Sequence, residues 1–466
     1  MKKKYHKLVF PLLIIVVSLL SIQCSRDVDD RPNIILILAD DLGYGDLSCY
    51  GQKNFSTPNI DKLAEDGMMF TQHYAGATVC APSRCVLLTG KHTGHAFTRG
   101  NAGDPNGYGQ LPIPEKEETF AKYLKSAGYK TGLFGKWGLG NAGTSGDPLK
   151  HGFDYFFGYH DQVLAHNSYP EFLMRNNEKV YLNNKVKYLS DTLWHKGLGS
   201  YSTRKNDYSN DIIFSELVSF IKENKKNKFF AYFPTTIPHN NDEAETGKRF
   251  EVPDDSKYSD KEWDDEDKAY AALVEHLDMY VGKLEEVLKE LNLSENTIVI
   301  FTSDNGAVSS LNLKNNGKLR GYKRDVYEGG IRIPMIAKWP SKIRAGSTSN
   351  HLSAFWDFFP TMCEAVNIKE FPKTDGISFL PELLEKEQQE HQYLYWEFHW
   401  WKPARQAIRK GNWKAVKDSP TAKIELYNLL NDISEKNNLA NNNLELVEEF
   451  EKLFKSARTQ SDHFKL

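Results

Sequence analysis

Ile34-Ile35-Leu36-Ile37-Leu38-Ala39-Asp40-Asp41-Leu42-Gly43 is the stretch on which the fold turns. An unbroken apolar, β-prone run over 34–38 ends in a polar crest of residues able to bind ions. The same design recurs three times: 129–133 runs into Gly135-Lys136-Trp137-Gly138, 229–233 into Thr236-Ile237-Pro238-His239, and 297–302 into Ser303-Asp304-Asn305-Gly306. Continuous apolar runs of this length suit strands buried on both faces. Between them lie helical patterns. Over 269–291, Leu273, Val274, Leu277, Val281, Leu284 and Leu288 recur at spacings of three and four, and 117–127 and 211–221 read similarly. Strand–helix alternation predicts an α/β fold around a mostly parallel sheet, with its site at the C-terminal ends of the strands. All four crests then gather on one edge.

Outward from this frame, 240–267 is polar, acidic and weakly periodic, and reads as a surface loop or lid. Short strands are expected at 405–413 and 424–429, and a last helix at 444–455. The chain divides into a signal segment at 1–24, a catalytic α/β domain at 32–345, and sheet completion with a smaller α+β subdomain at 346–466. The 466 residues allow one large domain with an appended one. With 40% hydrophobic and 26% charged residues, the composition supports a packed core and excludes a disordered chain. The 59 basic and 62 acidic side chains give a net charge of −3, which argues against nucleic acid as a partner. Five cysteines (Cys24, Cys49, Cys80, Cys85, Cys363) are too few for a disulfide scaffold. The N-terminus reads Met-Lys-Lys-Lys, then an apolar run over 8–20, shorter than a membrane span needs, which makes a secretory signal. Cys24 closes that run ahead of a polar, acidic stretch, resembling a lipoprotein signal, although Gln23 stands where a small residue is usual. The expected location is outside the cytoplasm: periplasmic, or held at the outer membrane of a Gram-negative bacterium through an N-terminal lipid.

Asp40-Asp41 and Asp304-Asn305 are two oxygen-rich pairs at the ends of expected buried strands. Hard oxygen ligands without cysteine or histidine suit Ca²⁺ or Mg²⁺ rather than Zn²⁺. Either pair alone is equally a turn or a helix cap. The decisive segment is Cys80-Ala81-Pro82-Ser83-Arg84, followed by Leu87-Leu88-Thr89-Gly90. Cys-x-Pro-Ser-Arg resembles the signature of type I sulfatases, in which the cysteine is oxidised to formylglycine.

The resemblance extends over about residues 32–340 in family order: Asp40-Asp41-Leu42-Gly43-Tyr44-Gly45-Asp46, the Cys80 signature, Gly135-Lys136-Trp137, Pro238-His239, Ser303-Asp304-Asn305-Gly306, and Lys323 ahead of Glu328-Gly329-Gly330-Ile331-Arg332-Ile333-Pro334. It implies the alkaline-phosphatase-like sandwich of a mixed sheet between helices. It further implies one Ca²⁺ held by Asp40, Asp41, Asp304 and Asn305 together with residue 80. The hydrated formylglycine at position 80 is then the nucleophile, and it discharges sulfate by collapsing back to the aldehyde. A maturation enzyme that installs formylglycine is an implied partner. Arg84 is placed to support the diol, Lys136 and Lys323 to clamp sulfate, and His239 to protonate the leaving oxygen.

One departure stands out. The family block Gly-Lys-Trp-His-Leu-Gly is Gly135-Lys136-Trp137-Gly138-Leu139-Gly140 in this chain, and His92, His95, His160 or His166 is expected to take over from the missing histidine. For the substrate, a sulfated carbohydrate is expected, with galactose or N-acetylgalactosamine sulfates the first choice. His95, Arg99, Asn101, Asp161 and His166 are the candidate sugar contacts, and Trp396, His399, Trp400 and Trp401 a candidate aromatic platform. Two alternatives remain open: phosphonate or phosphodiester hydrolysis on the same fold, and a non-catalytic surface protein that binds sulfated glycans.

Overall fold

The computed structural model describes residues 29–105, 107–189, 197–399 and 403–466. The signal segment with Cys24, and Trp400 and Trp401, lie outside them. In chain order the strands are β1 (Asn33–Ala39), β2 (Met68–Tyr74), β3 (Lys130–Lys136), β4 (Tyr155–Tyr159), β5 (Phe172–Arg175), β6 (Glu178–Tyr181), β7 (Lys185–Tyr188), β8 (Ser200–Arg204), β9 (Phe229–Pro234), β10 (Thr297–Ser303), β11 (Arg332–Lys338), β12 (Ser347–Ser349) and β13 (Ser353–Ala354). They are followed by β14 (Leu394–Phe398), β15 (Arg405–Lys410), β16 (Trp413–Lys417) and β17 (Glu425–Asn428).

The large sheet runs β12-β2-β11-β10-β1-β9-β3-β4-β5-β6, with β13 also on β2. Its centre, β10-β1-β9-β3-β4, is parallel throughout. The sheet is mixed rather than wholly parallel, because β11 runs antiparallel to both β10 and β2, and β5 and β6 close the far side as antiparallel strands. This is the mixed sheet that the resemblance implies, although strand–helix alternation alone does not reveal which strands run antiparallel.

Strand β1 shows why the centre forms. Ile34, Leu36 and Leu38 enter one core while Ile35, Ile37 and Ala39 enter the other, all at 1% exposure or less. A strand alternates its side chains between two faces, so covering both requires a helical layer on each side. One layer includes the helices Cys80–Thr89, Phe120–Ser126 and Phe358–Ala365. The other includes Pro58–Glu65, Ser209–Asn224 and Asp265–Glu290. None of the described helices is long and apolar enough to cross a membrane.

The C-terminal strands form a separate antiparallel sheet, β14-β15-β16-β17, backed by the helix Leu444–Ser456. The expected single strand at 405–413 is instead most of a hairpin. Gly411 adopts φ 55° between β15 and β16, a left-handed turn conformation that glycine takes without strain. A buried ion network joins this sheet to the large one. Lys414 on β16 lies 3.0 Å from Glu328 and 2.9 Å from Glu435, and all three side chains are fully buried.

Candidate active site

Four crests meet at the C-terminal edge of the parallel strands. The β1–β10 register pairs Ala39 with Ser303, so Asp40-Asp41 and Asp304-Asn305 leave the sheet side by side. Pro234 ends β9 opposite Leu38, bringing the loop with His239 alongside, and Lys136 is the last residue of β3. β11 is antiparallel, so it enters the sheet at this same edge, and the segment ahead of it carries Lys323. β2 ends there too, opposite Arg332 at Tyr74, and leads to the helix Cys80–Thr89. Only the segment ahead of β11 needs the antiparallel strand to reach this edge; β2 runs in the same sense as the parallel centre and delivers the Cys80 helix from its own C-terminal end.

All ten residues of that helix are buried. Cys80 opens it and Arg84 follows one turn later on the same face. Cys80 Sγ donates to Asp40 Oδ1 at 3.1 Å. Arg84 donates twice to Asp304 Oδ2, at 3.1 and 2.8 Å, once to the Lys136 carbonyl at 2.6 Å, and stands 3.6 Å from Asp40. Lys136 Nζ is 2.7 Å from Asp40 Oδ2. Lys323 Nζ is 2.6 Å from Asp41 Oδ2 and 2.9 Å from His239 Nε2. Ser83 donates to the Asp304 carbonyl at 2.5 Å, a structural role the sequence reading did not assign to this signature residue. Asp41 holds φ 65°, a conformation few residues other than glycine adopt and one that concentrates at functional sites.

Electrostatically the cluster is balanced: Asp40, Asp41 and Asp304 face Arg84, Lys136 and Lys323, three formal charges of each sign. Burial alone would raise the Asp40 carboxyl, but Lys136, His239, Arg84 and Lys323 together hold it well below the usual carboxylate range. Burial and the neighbouring Asp40 keep the Cys80 thiol far above its ordinary value, so an unmodified Cys80 is a neutral thiol and a poor nucleophile. Burial and the charge of Lys323 push His239 well below the normal histidine value. Its Nδ1 donates to the Asn240 carbonyl at 2.6 Å, which leaves the Nε2 lone pair to accept from Lys323.

The donor set fits a hard cation. Ligand atoms of Asp40, Asp41, Cys80 and His239 lie within 4.8 Å of one another, but the His239 nitrogen is taken up by Lys323. Asn305 fills the set with oxygen: its Nδ2 donates to Asp41 at 2.7 Å and to Gly306 at 3.0 Å, while its buried Oδ1 has no partner. An orphaned buried carbonyl beside three carboxylates is what an oxygen-bound divalent cation would satisfy.

The candidate sugar contacts divide. His166 reaches the cluster: its ring lies parallel to that of His239 with centroids 4.8 Å apart. Arg99 is instead committed to buried Glu397 at 3.0 Å and to the carbonyls of Ala96 and Thr459 at 3.0 and 2.9 Å. Asp161 caps a turn, accepting from the amides of Val163 at 2.7 Å, Leu164 at 3.0 Å and Leu198 at 3.2 Å. His95 lies 2.9 Å from Asp375, with the His92 ring stacked on it at 4.4 Å. The Gly94 amide donates to His92 Nδ1, so Nε2 carries the hydrogen and faces Asp375 rather than a metal. Asn101 Oδ1 is buried without a partner. Trp396 is fully buried, donates to the Ala75 carbonyl at 2.9 Å, and packs on Tyr74 and Trp356 as part of the core rather than as a platform.

Gly138 takes φ 76°, and a Cβ placed there would stand 3.4 Å from Gln162 Oε1, itself buried and unpartnered. His160 packs on Phe156 with neither ring nitrogen partnered, and burial lowers its pKa to about 4. A small cleft of about 130 Å³ opens at Lys323, lined also by Asn240, Asp242, Arg249, Ser309 and Arg324. The four described cysteines, Cys49, Cys80, Cys85 and Cys363, are free thiols.

Comparison with known proteins agrees with this geometry. The sulfatase family model matches residues 32–368, and the model of the N-sulphoglucosamine sulphohydrolase C-terminal region matches 320–460. The chain is 30% identical to the N-acetylgalactosamine-6-O-sulfatase of Bacteroides thetaiotaomicron, covering 92% of this chain and 94% of that protein. It is 31% identical to the human N-acetylgalactosamine-6-sulfatase, covering 78% and 68%. Among solved structures, Ps i-CgsB in complex with k-i-k-neocarrahexaose superposes with a TM-score of 0.77 at 28% identity, covering 94% of this chain and 95% of that one. With its signature helix, its paired carboxylates and its mixed sheet in place, the chain belongs to the type I sulfatases of the alkaline-phosphatase-like superfamily and is a sulfuric ester hydrolase.

Proposed function

We propose that this protein removes sulfate from a sulfated carbohydrate, and that the ester it takes is a 6-sulfate of N-acetylgalactosamine or galactose. The names of the two relatives support N-acetylgalactosamine and the 6-position. The observation that carries the chemistry is Cys80 Sγ, 3.1 Å from Asp40 inside an oxygen cage with one orphaned carbonyl. Asp40, Asp41, Asp304 and Asn305 would hold Ca²⁺, which when bound supplies charge neutralisation of the sulfate and acidity for a hydroxyl on residue 80. Formylglycine at position 80 supplies an oxygen nucleophile where the neutral thiol offers none.

The remaining work falls to side chains already in position. Burial is the largest single influence on each lysine and favours the neutral form, but Asp40 with its acidic neighbours together keeps Lys136 charged, and Asp41 with its acidic neighbours keeps Lys323 charged. Both therefore serve as fixed cations for the ester's non-bridging oxygens. Arg84 bonds Asp304 and the backbone of Lys136 at once, so it fixes the carboxylate and the end of β3 relative to each other. His239 Nε2, 2.9 Å from Lys323 Nζ, is placed to protonate the departing alcohol: the negative charge of an arriving sulfate favours the protonated imidazole, while Lys323 stays charged.

The test is to express the protein with its maturation enzyme, confirm residue 80 by mass spectrometry, and assay 6-sulfated and 4-sulfated N-acetylgalactosamine and galactose against a phosphodiester. Release of sulfate from the 6-sulfates is expected. Binding without turnover across the panel would favour the non-catalytic reading, and phosphodiester cleavage the other. We also propose export through the basic and apolar N-terminus, with lipid on Cys24. Cell fractionation and the mass of the mature N-terminus test this.

A further inference from the structure

His239 is anchored at one point within its own loop, by the 2.6 Å hydrogen bond from Nδ1 to the Asn240 carbonyl. Together with the contact from Lys323 to Nε2 at 2.9 Å, that bond holds the two ring nitrogens but leaves the tilt of the ring about the line between them unset. The restraint on tilt comes from a distant part of the chain. His166, on the turn Leu164–His166 after β4, lays its ring against that of His239 with planes 13° apart and centroids 4.8 Å apart. His166 is itself fixed, its Nδ1 lying 2.9 Å from Glu243 Oε2, and the two side chains are only 6% and 8% exposed. Glu243 sits on the polar segment beyond His239, where its amide donates to Asn241 Oδ1 at 3.2 Å. A buried carboxylate is costly to desolvate and is kept where its partner needs fixing.

We propose that the His166–Glu243 pair is a positioning device for His239, an inference that rests on the desulfation reading above. The carboxylate sets the tilt of the His166 ring. The stacked face then sets the plane of His239, keeping Nε2 at 2.9 Å from Lys323 and 3.3 Å from Asp41. His166 acts through His239 and touches no reacting atom. Its effect depends on the leaving group. A sugar alkoxide must be protonated as it departs, whereas a nitrophenolate leaves unaided.

The experiment compares His166→Ala, His166→Phe and Glu243→Gln on N-acetylgalactosamine 6-sulfate and on 4-nitrophenyl sulfate. Misplacing a catalytic group by about 1 Å costs roughly 100-fold, so His166→Ala should lower kcat on the sugar ester by about 30- to 100-fold. KM should stay within about threefold, and the loss on the aryl ester should stay below about fivefold, because only proton delivery is impaired. His166→Phe keeps a stacked ring and should recover about tenfold of the loss, with Glu243→Gln in between. Equal losses on both esters, an effect confined to KM, or a phenylalanine variant no better than the alanine one would overturn the proposal. Crystal structures of the wild type and His166→Ala give a readout independent of turnover. A His239 ring swung away from Lys323 in the variant supports the proposal, and an unmoved ring overturns it. A wild type inactive on both esters would count against the desulfation reading instead.

Discussion

Lowering the pH from 8 to 6 should weaken calcium binding to the metal-stripped protein about tenfold, through one buried carboxyl. Burial and the charges of Asp40 and Asp41 push Asp304 up to about 7, against the pull of Arg84 and Lys136. Its neighbour Asp40 is held well below the usual range and stays ionised throughout. The sign follows from the raised value: above pH 7 Asp304 is already the carboxylate a cation needs, and below it binding must first expel a proton. The ionised fraction is about 10/11 at pH 8 and about 1/11 at pH 6, a tenfold difference worth about 1.4 kcal/mol. Isothermal titration calorimetry of calcium into the stripped protein at pH 8, 7 and 6, in two buffers of different ionisation enthalpy, measures both quantities. Binding should release about 0.1 proton at pH 8 and about 0.9 at pH 6. An affinity flat across that range, with heats independent of the buffer, would refute the reasoning.

Three further outcomes are expected. Cys80→Ala should abolish sulfate release while leaving circular dichroism unchanged, since residue 80 contributes the reacting atom rather than core volume; retained turnover would show that the nucleophile lies elsewhere. Gly138→His should not raise activity, because φ is 76° there, a conformation that residues with a Cβ adopt only under strain. A left-handed conformation costs a residue with a Cβ about 1–2 kcal/mol, visible as a lower melting temperature, and a tenfold gain in kcat would contradict this. Arg99→Ala should cost about 3 kcal/mol in chemical denaturation by breaking its buried pair with Glu397, with KM for sulfated sugars unchanged. A raised KM at full stability would return Arg99 to the list of sugar contacts.

What could be read from the sequence was whatever neighbours along the chain determine. The apolar runs of β1, β3, β9 and β10 announce themselves because burial on both faces removes polar positions, and each crest follows its strand directly. The period of Asp265–Glu290 is legible for the same local reason. The antiparallel flank is not, because pairing β11 with β2 joins residues some 260 positions apart and leaves no mark in either segment. Arg99 and His95 looked like surface polar residues near a crest. Their partners Glu397 and Asp375 lie 298 and 280 residues away. Glu243 went unnoticed within an acidic stretch in which several carboxylates look alike, and only the approach of His166 distinguishes it.

On the formylglycine chemistry proposed above, the burial of Cys80 restricts when the chain can mature. At 1% exposure, at the head of a helix whose ten residues are all buried, its sulfur is out of reach of any second enzyme once the native state has formed. Part of that enclosure arrives late, since Ser83 is tied to Asp304, which emerges 221 residues behind it during synthesis. Oxidation of residue 80 therefore competes with folding on the clock, and a strain that folds this chain faster than it processes it would accumulate well-folded protein with no activity.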